Sequence, residues 1–168
     1  MTAVPGLSWR APRASDLPFL TGLFALPEMV AHRPEPVPDP PAVSAARLER
    51  EIGHWQAHGF GRWAVLEGET LVGFGGVTRV GTGAGLNISY HIHPRCQGRG
   101  IASATAARAV AFGFETVKAQ QIRGLVRPAN PGSLRVLEKL GFRRQGLVPL
   151  GGAPSILLTL ERDGSAQV

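Results

Sequence analysis

Residues Arg95-Cys96-Gln97-Gly98-Arg99-Gly100-Ile101-Ala102 place two glycines and two arginines between an extended run and an alanine-rich one. The run before them, Leu86-Asn87-Ile88-Ser89-Tyr90-His91-Ile92-His93, alternates in the manner of a strand, and Ile101 to Phe114 reads as a helix. A helix N-terminus presents unsatisfied backbone N–H groups and the positive end of the helix dipole. Glycines let that backbone come close to a bulky anion, so the pattern suits a diphosphate cradle. Glycine also serves strand-to-helix turns for steric reasons alone, and the spacing by itself leaves both readings open.

Alternation puts Asn87, Ser89, His91 and His93 on one face of that strand and Ile88, Tyr90 and Ile92 on the other. An imidazole titrating near pH 6.5 can take a proton from an amine at neutral pH, which makes His91 the first candidate base and His93 the second. The competing reading is a strand histidine that makes structural hydrogen bonds. Cys96 would need a base beside it to act as a nucleophile, and otherwise it is an ordinary loop residue.

These residues need a scaffold. Trp9 to Arg13 reads as a first short strand, and Ser15 or Asp16 caps a helix running to about Leu26. The proline-dense segment Pro34 to Pro41 is read as a surface loop over a cleft, where His32, Arg33 and Glu35 would meet a substrate. Ser44 to His58 reads as a second helix, and Arg62–Leu66 and Leu71–Val77 as a hairpin turned at Glu67-Gly68-Glu69-Thr70. After the glycine turn and its helix come a buried strand, Ile122–Val126, and a helix capped by Asn130 with Pro131 at its first position. That helix ends at Gly141, suited to a left-handed C-terminal residue, and Ser155–Leu160 reads as a last strand. The order describes a single mixed α/β domain with one strand-helix-strand crossover.

The 168 residues allow one domain with one core. With 43% hydrophobic and 18% charged residues, the composition is globular rather than disordered. The net charge of +6 is spread out, with no basic run and no aromatics interleaved with it, so it reads as general anion attraction, which a phosphate-rich small molecule satisfies as well as nucleic acid does; no nucleic-acid partner is expected. One cysteine permits no internal disulfide and no thiolate metal site, and no metal is expected. There is no long apolar run to span a membrane and no secretory-type leader, so a cytoplasmic protein is expected.

Two segments together resemble the GNAT superfamily of N-acetyltransferases. Ile92-His93-Pro94-Arg95-Cys96-Gln97-Gly98-Arg99-Gly100-Ile101-Ala102 is similar to that family's strand end and glycine turn, and Asn130-Pro131-Gly132-Ser133 through Leu137-Glu138-Lys139-Leu140-Gly141-Phe142 is similar to its late helix. The opening, with Arg10 and Asp16-Leu17-Pro18, resembles the ribosomal-protein N-terminal acetyltransferase branch, and the likeness spans about residues 7–162. It implies a GNAT-like fold: a mixed, mostly antiparallel, twisted sheet with helices on both faces, as one domain over 1–168 with loose tails at about 1–6 and 163–168. It implies acetyl-CoA as cosubstrate and direct transfer to a primary amine, either a peptide or protein N-terminus or a small amino compound. Its pyrophosphate would lie on the amides of Gln97, Gly98, Arg99, Gly100 and Ile101, beside Ala102, with Arg95 and Arg99 available for phosphates. The strand end at Ile92 and His93 would splay from its neighbour and leave backbone groups for the pantetheine arm, which Asn130 would also contact. The same branch offers Ser133 as hydrogen-bond donor to the leaving sulfur and puts Asn87 where a glutamate base belongs, while many GNAT enzymes outside it have an acidic tyrosine where Leu137 stands. Asn87 can orient water or the amine but cannot take a proton. Those two departures raise the alternative of a catalytically silent acyl-CoA-binding module. The resemblance leaves monomer and homodimer open.

Overall fold

Alternating apolar residues set seven strands in one sheet in the computed structural model, which describes residues 4–163. They are β1 (Leu7–Arg10), β2 (Arg62–Glu67), β3 (Thr70–Arg79), β4 (Leu86–Ile92), β5 (Gln121–Val126), β6 (Arg143–Leu150) and β7 (Ala153–Glu161), arranged β1-β2-β3-β4-β5-β7-β6. Every neighbouring pair is antiparallel except β4 and β5, which α4 (Ile101–Glu115) joins as the crossover. The other helices are α1 (Leu17–Phe24), α2 (Pro27–Val30), α3 (Pro41–His58) and α5 (Pro131–Lys139).

Helices cover both faces. Trp63, Val77, Leu86, Ile88 and Ile122 bury one face against Ala106 and Ala109 of α4 and Leu137 of α5. On the other, Leu20, Leu23, Phe24, Met29 and Leu48 close over Ala64 and Phe74. Small residues let α4 lie close to the sheet. A Cβ on Gly75 would stand 2.8 Å from both Thr105 Cγ2 and Tyr90 Cβ, and this closeness is what the strand's glycine permits. Thr105, fully buried there, accepts a hydrogen bond from Trp9 Nε1 at 3.2 Å, which ties β1 to α4.

Several boundaries differ from the sequence reading. The first strand is Leu7–Arg10, and the first helix is two pieces, because Pro27 starts α2 where α1 has already ended. α3 begins at Pro41 rather than Ser44, since proline suits a first helical position. β6 was not expected at all. It is an edge strand exposed along nearly its whole length, so it lacks the alternation that marks a half-buried strand, and a turn at Gly151-Gly152 (φ +58° and +79°) returns it to β7. Of the expected loose tails, residues 1–3 and 164–168 lie outside the described residues. Within them, Gly6 O accepts from Gly68 N–H at 2.9 Å and Val4 packs on the cluster around Ile92.

The feature that builds the site is an interrupted strand pair. β4 and β5 pair only over Leu86–Ile88 and Ile122–Gly124, although β4 runs on to Ile92 and β5 to Val126. Beyond Ile88 the two diverge, and the expected splay is present. The β3–β4 register is unbroken from Arg79↔Leu86 to Gly73↔Ile92, so the two-face sorting of β4 holds.

Candidate active site

The end of β4 leads into a tight 3-10 turn, Pro94–Cys96. His93 caps it, its Nδ1 accepting from Arg95 N–H at 3.2 Å, and Gln97 Nε2 donates back to Ile92 O at 3.3 Å. Gly98 and Gly100 follow at φ +77° and +80°, conformations that L side chains resist, and Gly100 is the N-cap of α4. Gln97 N–H is already donated to Pro94 O at 3.2 Å, so the exposed cradle begins at Gly98 rather than Gln97. Gly98, Gly100, Ile101 and Ala102 line one wall of a 670 Å³ groove, and Asn130, Ser133 and Arg135 line the facing wall.

The two arginines expected at phosphates lie elsewhere. Arg99 pairs with Glu67 at 2.5 Å and Arg95 is exposed, and neither lines the groove. Cys96 is buried with Val65, Val72, Ile92 and Ile101, as a packing residue. In an antiparallel pair a residue either exchanges backbone bonds with its partner strand or faces away. His93 N–H bonds Val72 O of β3 at 2.8 Å, which puts the amides of Tyr90 and Ile92 on the open side toward the gap.

A second cavity of 580 Å³ adjoins the groove on the far side of the gap. His32, Tyr90, His91, Asn130 and Ser133 line both, so these five stand where the two meet. Asn130 Oδ1 accepts from Ser133 N–H at 3.3 Å, the expected helix cap, which fixes Ser133 on the first turn of α5. The Tyr90 hydroxyl lies 2.9 Å from Ser133 Oγ, a contact in which either group can donate, and 3.2 Å from Ser133 O, so its one proton serves one of the two. Burial pushes the Tyr90 phenol up to about 12, against the pull of its Ser133 bond, so it stays protonated at any ordinary pH.

His91 lies with its ring 5.0 Å from that of Phe24. Burial drives it down to about 3, helped by the positive charges of Arg62, Arg47, His32 and Arg33. His93 and Asn87 line neither cavity. His93 is occupied as the turn's cap, and Asn87 sits on the still-paired part of β4, opposite Arg123. The proline segment delivers His32, Arg33 and Glu35 to the second cavity as expected. Asp39 holds it there, accepting from Arg33 and Arg47, while Asp39 N–H bonds Phe24 O at 3.0 Å. The sequence reading passed over Tyr90 and Arg127. Tyr90 was legible only as an apolar-face residue, and its partner is 43 positions away in sequence. Arg127, at the end of β5, donates to the carbonyls of Leu150, Ala153 and Pro154, and so fixes a hairpin the sequence did not reveal.

An opened parallel pair, a glycine turn at the head of the crossover helix and a groove running between them are the features of an acyltransferase fold. The chain belongs to the GNAT acetyltransferase family: the family model described as "Acetyltransferase (GNAT) domain" matches residues 7–143. The "Probable N-acetyltransferase YjcK" of Bacillus subtilis (strain 168) is 37% identical over 60 residues, which is 36% of this chain and 33% of that protein, so the match spans a third of that relative's length. Among solved structures, the acetyltransferase from Agrobacterium tumefaciens str. C58 matches with a TM-score of 0.79 at 21% identity, covering 96% of this chain and 94% of that one. The spermidine N-acetyltransferase from Vibrio cholerae, solved in complex with CoA and spermine, matches with a TM-score of 0.74 at 20% identity over 93% and 95% of the two chains. These two likenesses show the fold, and the family model shows that it is a GNAT acetyltransferase domain.

Proposed function

We propose that the protein moves the acetyl group of acetyl-CoA directly onto a primary amine, with the groove holding the donor and the 580 Å³ cavity the acceptor. One observation carries this reading: the two spaces share Tyr90, His91, Asn130 and Ser133, so a donor in one and an amine in the other meet at those residues. The groove fits the donor chemically, with two left-handed glycines and the head of a 15-residue helix for the diphosphate and an unpaired strand edge for the arm. Acetyl-CoA supplies an acetyl group activated as a thioester, with a leaving thiol of pKa roughly 8.5. In the transfer an N–C bond forms and the C–S bond breaks, an amine proton passes to solvent, and the sulfur regains a proton.

The chain's residues then divide the work. The amides from Gly98 to Ile101 hold phosphate oxygens. The Tyr90 and Ile92 N–H groups on the open edge bind the arm and hydrogen-bond the carbonyl oxygen where negative charge develops. Ser133 Oγ–H, oriented by Tyr90, donates toward the leaving sulfur. His91 is too weak a base at about 3 to store a proton, so its ring nitrogen orients the amine. The same cations that keep His91 neutral disfavour an ammonium next to it. The site thereby receives the amine in its reactive neutral form without the glutamate that Asn87 replaces.

The test is coenzyme A release from acetyl-CoA with a panel of amines, with acetyl-CoA binding followed by calorimetry. Release with one amine class supports the reading. Tight binding without release from any amine points to the silent module, and no binding overturns the donor assignment. Gly100→Val offers a local check. A β-branched residue at φ +80° costs about 1–2 kcal/mol and reshapes the turn, so the acetyl-CoA dissociation constant should rise about tenfold while the thermal transition falls by about 2–8 °C and stays cooperative.

A further inference from the structure

We propose that the acceptor is a small amine carrying a carboxylate, seated in the 580 Å³ cavity with its anion toward Arg127, Ser155 and Ser89; this rests on the acetyl-transfer reading above and narrows it. The volume suits a small molecule. Its lining is uneven in charge. Arg33 and Arg127 face it, and Glu35, exposed on the proline segment, is the one carboxylate among the described residues that line it. Arg33 and Arg47 share the single carboxylate of Asp39, which leaves one positive charge over. Arg127 makes three bonds to backbone carbonyls and no ion pair among the described residues, so its charge is uncompensated. The field agrees: the charges acting on His32 are Arg33 and Arg127, both positive.

Two hydroxyls point to the same ligand. Ser155 is fully buried and its Oγ has no hydrogen-bond partner, and the Oγ of Ser89 is likewise buried and unpartnered. Both residues line the cavity. Buried hydroxyls are normally satisfied, and two orphans on one cavity wall beside an unpaired guanidinium need an acceptor with several lone pairs. A carboxylate supplies these and neutralises the guanidinium in a charge-assisted bond. A polyamine would bring more positive charge and no acceptor.

The experiment compares amino acids with their own carboxamides, together with spermidine and a short C-terminally amidated peptide, as acceptors for the full chain. Rates are corrected for the fraction of neutral amine. In parallel, calorimetry measures binding of each N-acetylated acid and N-acetylated amide. The acids should exceed the amides by about tenfold in kcat/KM and in affinity. Ser155→Ala removes a hydroxyl that the fold does not use, so it should leave the thermal transition in place while weakening the acid about threefold to tenfold and the amide, a weaker acceptor, by less. Arg127→Gln should erase the preference, with hairpin integrity checked by the same transition. Equal use of acids and amides, or preference for spermidine or the amidated peptide, would overturn the proposal and leave the N-acetyltransferase reading standing. Loss of acetyl-CoA binding would instead strike that reading, while the N-acetyl acid and amide pair would still decide the acceptor's chemistry.

Discussion

Asp16→Ala should lower the unfolding free energy by about 3 kcal/mol at pH 7, the low end for breaking a buried ion pair. The Asp16 carboxylate is 2% exposed, yet Arg10 grips it with two bonds of 2.7 and 2.9 Å, and Arg13 N–H adds a third at 2.8 Å. Removing it strands Arg10, which is 25% exposed and can partly rehydrate, hence the low end. The group also makes stability depend on pH. Burial pushes the Asp16 carboxyl up, but the Arg10 and Arg13 hydrogen bonds and charges outweigh it and hold it below the ordinary 3.8. A carboxyl depressed in the folded state stabilises fully above its unfolded pKa and stops doing so as pH falls through the folded one. The gap between wild type and Asp16→Asn in urea titrations should therefore be full at pH 7, and should close below about pH 4. A gap that persists unchanged at pH 2 would mean that packing, not charge, carries the effect. The site should feel the change as well. Asp16 pins the entry to α1, whose Phe24 meets the His91 ring, so acceptor KM should rise in the same variant.

The two halves of the donor groove were legible because each is written in local chemistry. Gly98 and Gly100 must take positive φ, and Asn130-Pro131 announces a capped helix, whatever surrounds them. The strand hosting His91 was legible by alternation, and the unbroken register kept its two faces as read. What escaped depends on partners distant in sequence. Arg99 looks free for phosphate until β2 brings Glu67 beside it, and His93 looks like a base until the turn uses it as a cap. β6 escaped because an exposed edge strand buries nothing and so carries no period. With it went the hairpin that Arg127 clamps and the cavity wall that holds Ser155. The acceptor side was therefore the least readable part, since its charge balance is a sum over α3, β2, β5 and the proline segment. No one stretch of chain displays that sum.

Ser133→Ala should cut kcat about 10- to 100-fold with little change in acetyl-CoA affinity, the range expected for losing a hydrogen bond to a developing charge. The fold should tolerate it, because the Asn130 cap bonds the Ser133 backbone N–H and not its hydroxyl. Tyr90→Phe should give a smaller loss, because the phenol acts through Ser133. With a pKa pushed up to about 12, Tyr90 cannot pass its own proton downhill to a thiolate titrating near 8.5, and the serine hydroxyl is a weaker acid still; Tyr90 aims the serine's hydrogen bond at the sulfur, and water supplies the proton. The double variant should then be no slower than Ser133→Ala alone, a coupling that two independent groups would not show. Acyl donors with leaving thiols of different pKa give the sharper reading. If Ser133 stabilises the departing sulfur, Ser133→Ala should slow donors with basic thiols more than donors with acidic ones, and the wild type should discriminate less between them. Parallel losses across the donor series would remove Ser133 from the leaving-group side and leave the open β4 edge as the groove's source of acceleration.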